Sequence, residues 1–542
     1  MSMDQDALVV SSLAGSSLGP VEETSHHALA LDSEGDGFWN RLDRLTIAVA
    51  DRLNPILIKE TRESLKSRQF LITFFLLLAL TLLWTCLGII FNAPEVYYLP
   101  TGASLLSGYY FLLAVPIFGL VPLIALRSLS GEIDNDTFEL MSITELASGQ
   151  IVRGKFASAV LQMVLYLAAV VPSLAFSYLL RGVSLTEIAM LLIAVFMAGL
   201  VLTSIALMIA PLVSGYLGQS LAIVGLIAII LLVQSMMAGM CLSLIVGSGV
   251  ASTRDGWLVT LITSMNLLVF VKVLLRAAAA GIAPVSENRS TSLRYWTLVQ
   301  QSLWIVTIVS LSIYYDEFEP INFGSFILAT YWLVIGTIAL TESTEISPRV
   351  RRELPSTILG RAFLSAFMPG PSSGYLFAVC SGSVAIVGFG CFGTLVGTKH
   401  SGTEPILFSL VMIGYLMTYL GLVRLLTLPL AIHRMLPLLV AFLMLAALLV
   451  LSGVAPSAIS VVIEGDLPAV YSELEILDPF WTIVKAFEHN GLPIHLTVLP
   501  LASGIAITFI NLFCMKDLYK YRKIAVPDRV LVDRSGNKCR NL

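Results

Sequence analysis

Charge is what this chain has least of. Of its 542 residues, 13% are Asp, Glu, Lys or Arg, against 57% hydrophobic, and the mean hydropathy is +0.87. Soluble domains carry about 25% charged residues, so a chain with half that share cannot cover a water-facing surface of this size. One large soluble core is excluded, and lipid must replace water over much of the exterior. Cysteine is also scarce. The six, Cys86, Cys241, Cys380, Cys391, Cys514 and Cys539, form no CxxC pair, and five fall in apolar runs. That pattern excludes a disulfide framework or a zinc site and predicts small buried hydrophobes. No HExxH occurs, so a zinc protease of that type has no ligands. Residues 1–40 lack Lys and Arg altogether and hold seven acids among Ser, Gly and Asp. They read as a disordered acidic tail. A signal peptide does not fit, because the first long apolar run starts only near Gln69.

What is present is a series of long apolar runs. A bilayer core about 30 Å thick takes about 20 helical residues. Twelve stretches qualify: 69–91, 104–126, 156–180, 186–212, 217–247, 257–281, 295–315, 323–343, 375–397, 405–430, 434–455 and 495–515. The expected fold is all-α and polytopic, with about 12 transmembrane helices and both termini cytoplasmic. With that orientation, 28 of the 32 Lys and Arg fall on the inner side, leaving Arg181, Arg254, Lys399 and Lys485 outside. The weakest turn is Pro211–Tyr216, which has no charge; were it only a kink, every later loop would change sides. Tyr97, Tyr98, Tyr109, Tyr110, Tyr178, Trp257, Tyr314 and Tyr315 all fall near the expected outer interface, where amphipathic rings settle. Arg424, Lys272 and Arg276 are placed to snorkel to the inner interface.

Ahead of the first span, Leu42, Leu45, Val49, Leu53 and Ile56 form one apolar stripe at helical spacing. Asn54 and Pro55 suit a cap and first-turn pair. Seven basic residues against four acids over 41–68 suit an anionic inner leaflet. The segment 41–68 reads as an amphipathic interfacial elbow helix. For 59–68 a solvated charged helix fits equally well.

The segment Arg127–Phe156 carries five acids and three bases between two apolar runs. Its Gly149-Gln150-Ile151-Val152-Arg153-Gly154-Lys155-Phe156 resembles a phosphate-binding loop but ends in Phe, which cannot hold Mg²⁺, and no strand precedes it. Gly370-Pro371-Ser372-Ser373-Gly374 likewise fits GxSxG without a nearby His or strand, and reads as a turn before a span. Asp136 or Thr137 can cap a short helix with Glu139 close behind. Phe138, Leu140 and Met141 then supply apolar anchors within a charged rim, which suits docking of a soluble partner. The plainer alternative is a solvated interhelical loop.

NPILIKETRESLKSRQFL (Asn54–Leu71), then two spans, then GEIDNDTFELMSITELASGQIVRGKFAS, resembles the permease subunits of type-2 ABC (ATP-binding cassette) transporters. The likeness runs over roughly 54–212, weakens to 281 and is faint beyond. It implies an elbow helix marked by Asn54, Pro55, Lys59 and Glu60. It also implies an ATPase-coupling loop marked by Glu132, Asp136, Thr137, Phe138, Glu139, Leu140, Met141, Gly154 and Lys155. Where the family has a TPL-like step, this chain has Thr144-Glu145-Leu146. The resemblance implies an exporter permease in a bacterial inner membrane, without a nucleotide site of its own. ATP and Mg²⁺ would sit on a separate ATPase subunit, and the chain itself would bind no cofactor, metal or nucleic acid. The lipid bilayer and a homodimer mate or second permease complete the implied partners.

The expected organisation is a tail (1–40), the elbow (41–68), a permease domain (69–281) with coupling loop 127–155, a second membrane region (282–515) with inner loop 344–374 and outer loop 456–494, and a basic tail (516–542). Spans seven to twelve show no clear sequence repeat of one to six, although the loop pattern allows two six-span units; a structural extension is the alternative. Phe480, Trp481, Val484 and Phe487 group as a candidate outer gate. Gln162, Gln234, Asn266 and Asn511 fit helix–helix hydrogen bonding better than a polar path. An ion-coupled secondary transporter and a membrane-embedded enzyme are the competing functions. The first is disfavoured by the near absence of ionisable groups from the first five spans, the second by the lack of a catalytic constellation.

Overall fold

The computed structural model describes residues 55–94, 98–134, 147–212, 215–245, 253–284, 288–317, 319–342, 357, 366–396, 404–432, 438–464, 471, 473–487 and 494–515. The expected tails, most of the elbow stripe, Asn54 and positions 136–141 lie outside these. Among the described residues there is no β-strand, and the chain is all-α.

The first half comprises α1 (Pro55–Lys66), α2 (Arg68–Phe91), α3 (Gly102–Ala114), a π-helical stretch (Val115–Leu120), α4 (Val121–Asp134), α5 (Ser148–Leu179), α6 (Leu185–Ile209), a 3₁₀ turn (Ala210–Leu212), α7 (Gly215–Ile245) and α8 (Arg254–Ile282). The second comprises α9 (Thr291–Tyr315), α10 (Glu319–Leu340), α11 (Pro371–Val396), α12 (Glu404–Ile432), α13 (Leu438–Glu464), a 3₁₀ turn (Glu473–Leu477), α14 (Pro479–Phe487) and α15 (Ile494–Phe513). Eleven helices among the described residues are long and apolar enough to cross a membrane, with α3 and α4 forming one continuous rod from Gly102 to Asp134. This is a multi-pass membrane protein.

Two expectations change in detail. The twelfth span, expected over 495–515, is the shorter helix α15, whose apolar part is Thr497–Phe513. The polar segment 127–155 is not a loop throughout: α4 carries span two on to Asp134, and α5 starts at Ser148. Residues 149–156 are therefore the first turns of a helix. The uncharged turn at 211–216 does separate two helices, α6 and α7, which pack side by side.

Local chemistry explains several boundaries. Ser67 ends the elbow and caps α2, its hydroxyl accepting from Phe70 N at 3.1 Å. At the start of α6, Ser184 and Glu187 cap each other reciprocally, at 2.7 and 3.2 Å. Pro116 and Pro122 withdraw two backbone donors from the second span. There the Val121 N–H reaches back to the Pro116 carbonyl, giving the π stretch.

Buried side chains form two clusters. One runs through α2–α8, from Phe70 to Val271. The other runs from Ile56 and the end of α4 across α6 and α8 into the second half. Tyr109 and Tyr110, expected at the outer interface, are core residues. Tyr109 meets Thr85 Oγ1 at 2.6 Å, and the Tyr110 hydroxyl points to the Gln234 carbonyl at 3.5 Å. Tyr98, Tyr178, Tyr314 and Tyr315 are exposed. Of the cysteines expected to be buried, only Cys241 is; Cys86, Cys380, Cys391 and Cys514 lie on the outward faces of their helices. The reason is that lipid receives apolar side chains as readily as a core does, so an apolar run does not reveal which face turns inward.

Because lipid provides no hydrophobic drive between helices, close backbone approach must hold them. One such case is α12 on α15. A Cβ at Gly414 would stand 2.4 Å from the Pro500 carbonyl carbon, and one at Gly504 would stand 2.8 Å from the Gly414 oxygen. Gly414→Leu is expected to push the pair apart and destabilise the protein by about 1–3 kcal/mol. Thermal unfolding of the detergent-solubilised chain checks this, and a Tm at the wild-type value would contradict it.

Candidate functional site

Three marked residues, far apart in sequence, meet at one point. Lys155 lies one to two turns into α5, Glu132 in the last turn of α4, and Glu60 in the elbow α1. The Lys155 ammonium lies 3.0 Å from Glu60 Oε1, 2.9 Å from Glu132 Oε1 and 2.8 Å from Ser128 Oγ. Its three donors therefore each have an acceptor. Lys155 is only 4% exposed, so this is a buried cation held by two half-buried carboxylates.

The elbow is seamed to α5 along its length. A Cβ on Gly154 would come within 2.8 Å of Ile56 Cγ2 and 3.2 Å of Leu57 N, so only glycine lets α1 lie this close. Farther along, Ser64 Oγ meets Ser158 Oγ at 3.1 Å, and Thr73 of α2 meets the Tyr166 hydroxyl at 2.7 Å. The start of α5 is closed by the Gln150 side chain, which accepts from Ala147 N at 3.1 Å, and by Arg153 Nε bonding to Gly149 O at 2.8 Å. Lys59, Arg62, Glu63 and Lys66 stay on the exposed face of α1. Beside the knot, Gln219 of α7 bonds the Asp134 carboxylate at the end of α4. A cavity of about 250 Å³, lined in part by Arg127, Ser130 and Gln219, opens between α4 and α7.

The expected elbow and coupling-loop residues thus divide. Glu60, Glu132, Gly154 and Lys155 come together, and Pro55 is the first residue of α1. Lys59 faces out. Asn54, Asp136, Thr137, Phe138, Glu139, Leu140 and Met141 lie outside the described residues. Sequence reasoning missed Ser128, Ser64 and Ser158, for which single hydroxyls give no signal.

The second half holds two further buried cations. Arg294, in the first turn of α9, pairs with Glu342, which also accepts from Gly370 N at 3.0 Å. The same guanidinium donates to Ala366 O and, at 3.2 Å, to Ser373 Oγ. Arg424, expected to snorkel, is instead 2% exposed. It donates to Asn511 O and Oδ1 at 3.2 and 3.1 Å and to Ser372 Oγ at 2.9 Å, and stacks 5.3 Å from the Tyr375 ring centroid. Ser372, the serine of the GxSxG look-alike, is therefore a partner of this arginine. Lys272 stays exposed, 4.3 Å over the Trp296 ring, and Arg276 is half-buried. Asn266 and Asn511 hydrogen-bond across helices, to Thr307 Oγ1 and to Gly421 O.

The four candidate gate residues sit on or beside α14 without converging. Phe480 and Val484 are exposed, Trp481 packs edge-on to Tyr471, and Phe487 packs on Phe408 of α12. Asp478 caps the helix by accepting from Phe480 N at 2.9 Å. Burial pushes the Tyr471 phenol above its ordinary pKa, partly offset by its hydrogen bond with Thr482. Among the described residues no group of three or more His, Cys, Asp or Glu gathers to hold a metal.

Breaking the Lys155 cluster from one side should be costly, because two half-buried carboxylates would be left facing each other without their cation. Lys155→Met is expected to destabilise by about 3–5 kcal/mol. Adding Glu60→Gln and Glu132→Gln should restore most of that. Thermal unfolding of the single and triple variants checks it; a single variant as stable as wild type would contradict the cluster's role. Comparison with protein-family models, with curated proteins and with solved structures finds no match to this chain.

Proposed function

We propose that this chain is the permease subunit of an ABC exporter in a bacterial inner membrane, driven by a separate ATPase that grips the segment between α4 and α5 from the cytoplasm. The observation that carries the reading is the Lys155 cluster. It ties the elbow to the ends of spans two and three, the three parts that the family resemblance marks out. A push on residues 135–146 bears directly on α4 and α5, which the cluster joins to each other and to α1. The partner's stroke then moves these elements as a block. Drive further requires that the ATPase favour one arrangement of the block over another. ATP and Mg²⁺ belong to the partner in this reading.

An ion-coupled carrier has one observation in its favour, the buried Arg424 with Asn511 and Ser372, since carriers keep charges inside the membrane. The two readings separate on purification from the native host. A permease brings with it a P-loop ATPase whose ATP hydrolysis the chain stimulates. Phe138→Asp with Glu139→Arg should cut that stimulation about tenfold or more, within the usual range of coupling energies, and leave the chain's Tm unchanged. A chain recovered alone, whose transport follows an ion gradient, would support the carrier and end the permease reading.

A further inference from the structure

The two halves of the chain share a packing plan that their sequences hide. In the first half the membrane helices in order are α2, α3–α4, α5, α6, α7 and α8; in the second they are α9, α10, α11, α12, α13 and α15. In the first half the second helix packs on the first, third, fourth and fifth; the fourth packs on the third, fifth and sixth; and the first packs on the third. The same pairs recur, in the same order, in the second half. One pairing differs: α5 also packs on α8, with no counterpart of similar extent between α11 and α15.

Burial gives an independent sign. In both halves the second and fourth helices are the most enclosed by protein, and the fifth is the least, with 11% of its apolar window buried in α7 and in α13. A shared neighbour plan need not produce a shared ranking, because lipid-facing and protein-facing helices look alike in composition.

A third sign is chemical. Both halves place a buried ion pair where their second helix ends and their third begins. In the first half it is Glu132 at the end of α4 with Lys155 at the start of α5, and Ser128 adds a hydroxyl. In the second half it is Glu342, two residues beyond α10, with Arg294, and Ser373 at the start of α11 adds the hydroxyl. The carboxylate occupies the corresponding place in both. The cation moves, coming from the third helix in one half and the first in the other. Each half has six membrane helices, an even number, so the second starts on the side where the first did. The relation is then a rotation about an axis along the membrane normal rather than an inversion.

We infer that residues 291–513 repeat the six-helix fold of residues 68–282 in the same membrane orientation, with Arg294, Glu342 and Ser373 as a second charged joint at the cytoplasmic end. The repeat stands on packing alone. Its functional consequence rests on the permease reading: the second joint is a second place where a cytoplasmic partner's stroke enters the chain.

The test uses the full chain with its native cysteines replaced and one cysteine returned at a time. Arg153→Cys, in the first turns of the third helix α5, and Thr357→Cys, between α10 and α11, mark the corresponding end of the two halves; Tyr98→Cys and Glu317→Cys mark the connections between first and second helices. All four side chains are exposed. A membrane-impermeant maleimide applied to vesicles of each orientation should label Arg153→Cys and Thr357→Cys from the cytoplasmic face, and the other two from the opposite face. Labelling of Thr357→Cys and Arg153→Cys from opposite faces would overturn the proposal. An experimental map of the wild-type chain provides a second measurement independent of any variant. The six helix axes of 291–513 should superpose on those of 68–282, in chain order, by rotation about the membrane normal. A superposition that needs an inverted axis or a changed order also overturns it. A chain that stimulates no ATPase would undo the permease reading and leave the repeat, as measured by these two experiments, standing.

Discussion

A buried ammonium that must satisfy three donors constrains everything around it. Lys155 has water on almost no side, so its three N–H donors are satisfied only while Glu60, Glu132 and Ser128 stay within about 3 Å. Those partners belong to the elbow and to the end of the second span. The condition therefore fixes where α1 lies, where α4 ends and how α5 leaves the knot. The close approach at Gly154 and the serine contact between Ser64 and Ser158 follow from the same placement.

In a soluble protein such an arrangement would be one contact among many. Inside lipid it has more weight, because apolar side chains gain nothing by leaving lipid for a neighbouring helix. Packing fit and buried polar contacts decide which helices stay together. The chain uses both. Glycine approaches join α12 to α15, while ion clusters sit at the helix ends, where partial hydration makes charge less costly. Arg424 is the exception, a guanidinium wholly inside the second half and met by neutral acceptors and a tyrosine ring. The outward faces of α7 and α13 remain apolar, as lipid contact requires.

Much of the architecture was legible in the sequence, and for a physical reason. Span length is set by bilayer thickness, and Lys and Arg are costly to translocate, so helix number and order follow from counting. Glu60, Glu132 and Lys155 were legible as unusual residues because charge is rare here and they stand out against an apolar background, but nothing in the sequence showed that they meet. What counting could not reveal was which face of each helix meets protein. Tyr109 and Tyr110 share composition and depth with interfacial tyrosines yet are core. Arg424 lies near a helix end and so suits snorkelling, but Asn511, nearly ninety positions away, holds it inside. Serines such as Ser128 and Ser373 have no periodicity to betray them. The likeness between the two halves stayed hidden because helices in lipid keep their packing plan while almost any apolar residue serves on the outward face.

The central claim is that the elbow and the ends of the second and third spans form one mechanical block around Lys155. Amide hydrogen exchange on the wild-type chain in lipid nanodiscs tests it without any substitution. The account predicts that residues 55–66, 125–134 and 148–158 lose protection together, as a single cooperative opening. An elbow that exchanges at its own faster rate, while the ends of α4 and α5 stay closed, would contradict it.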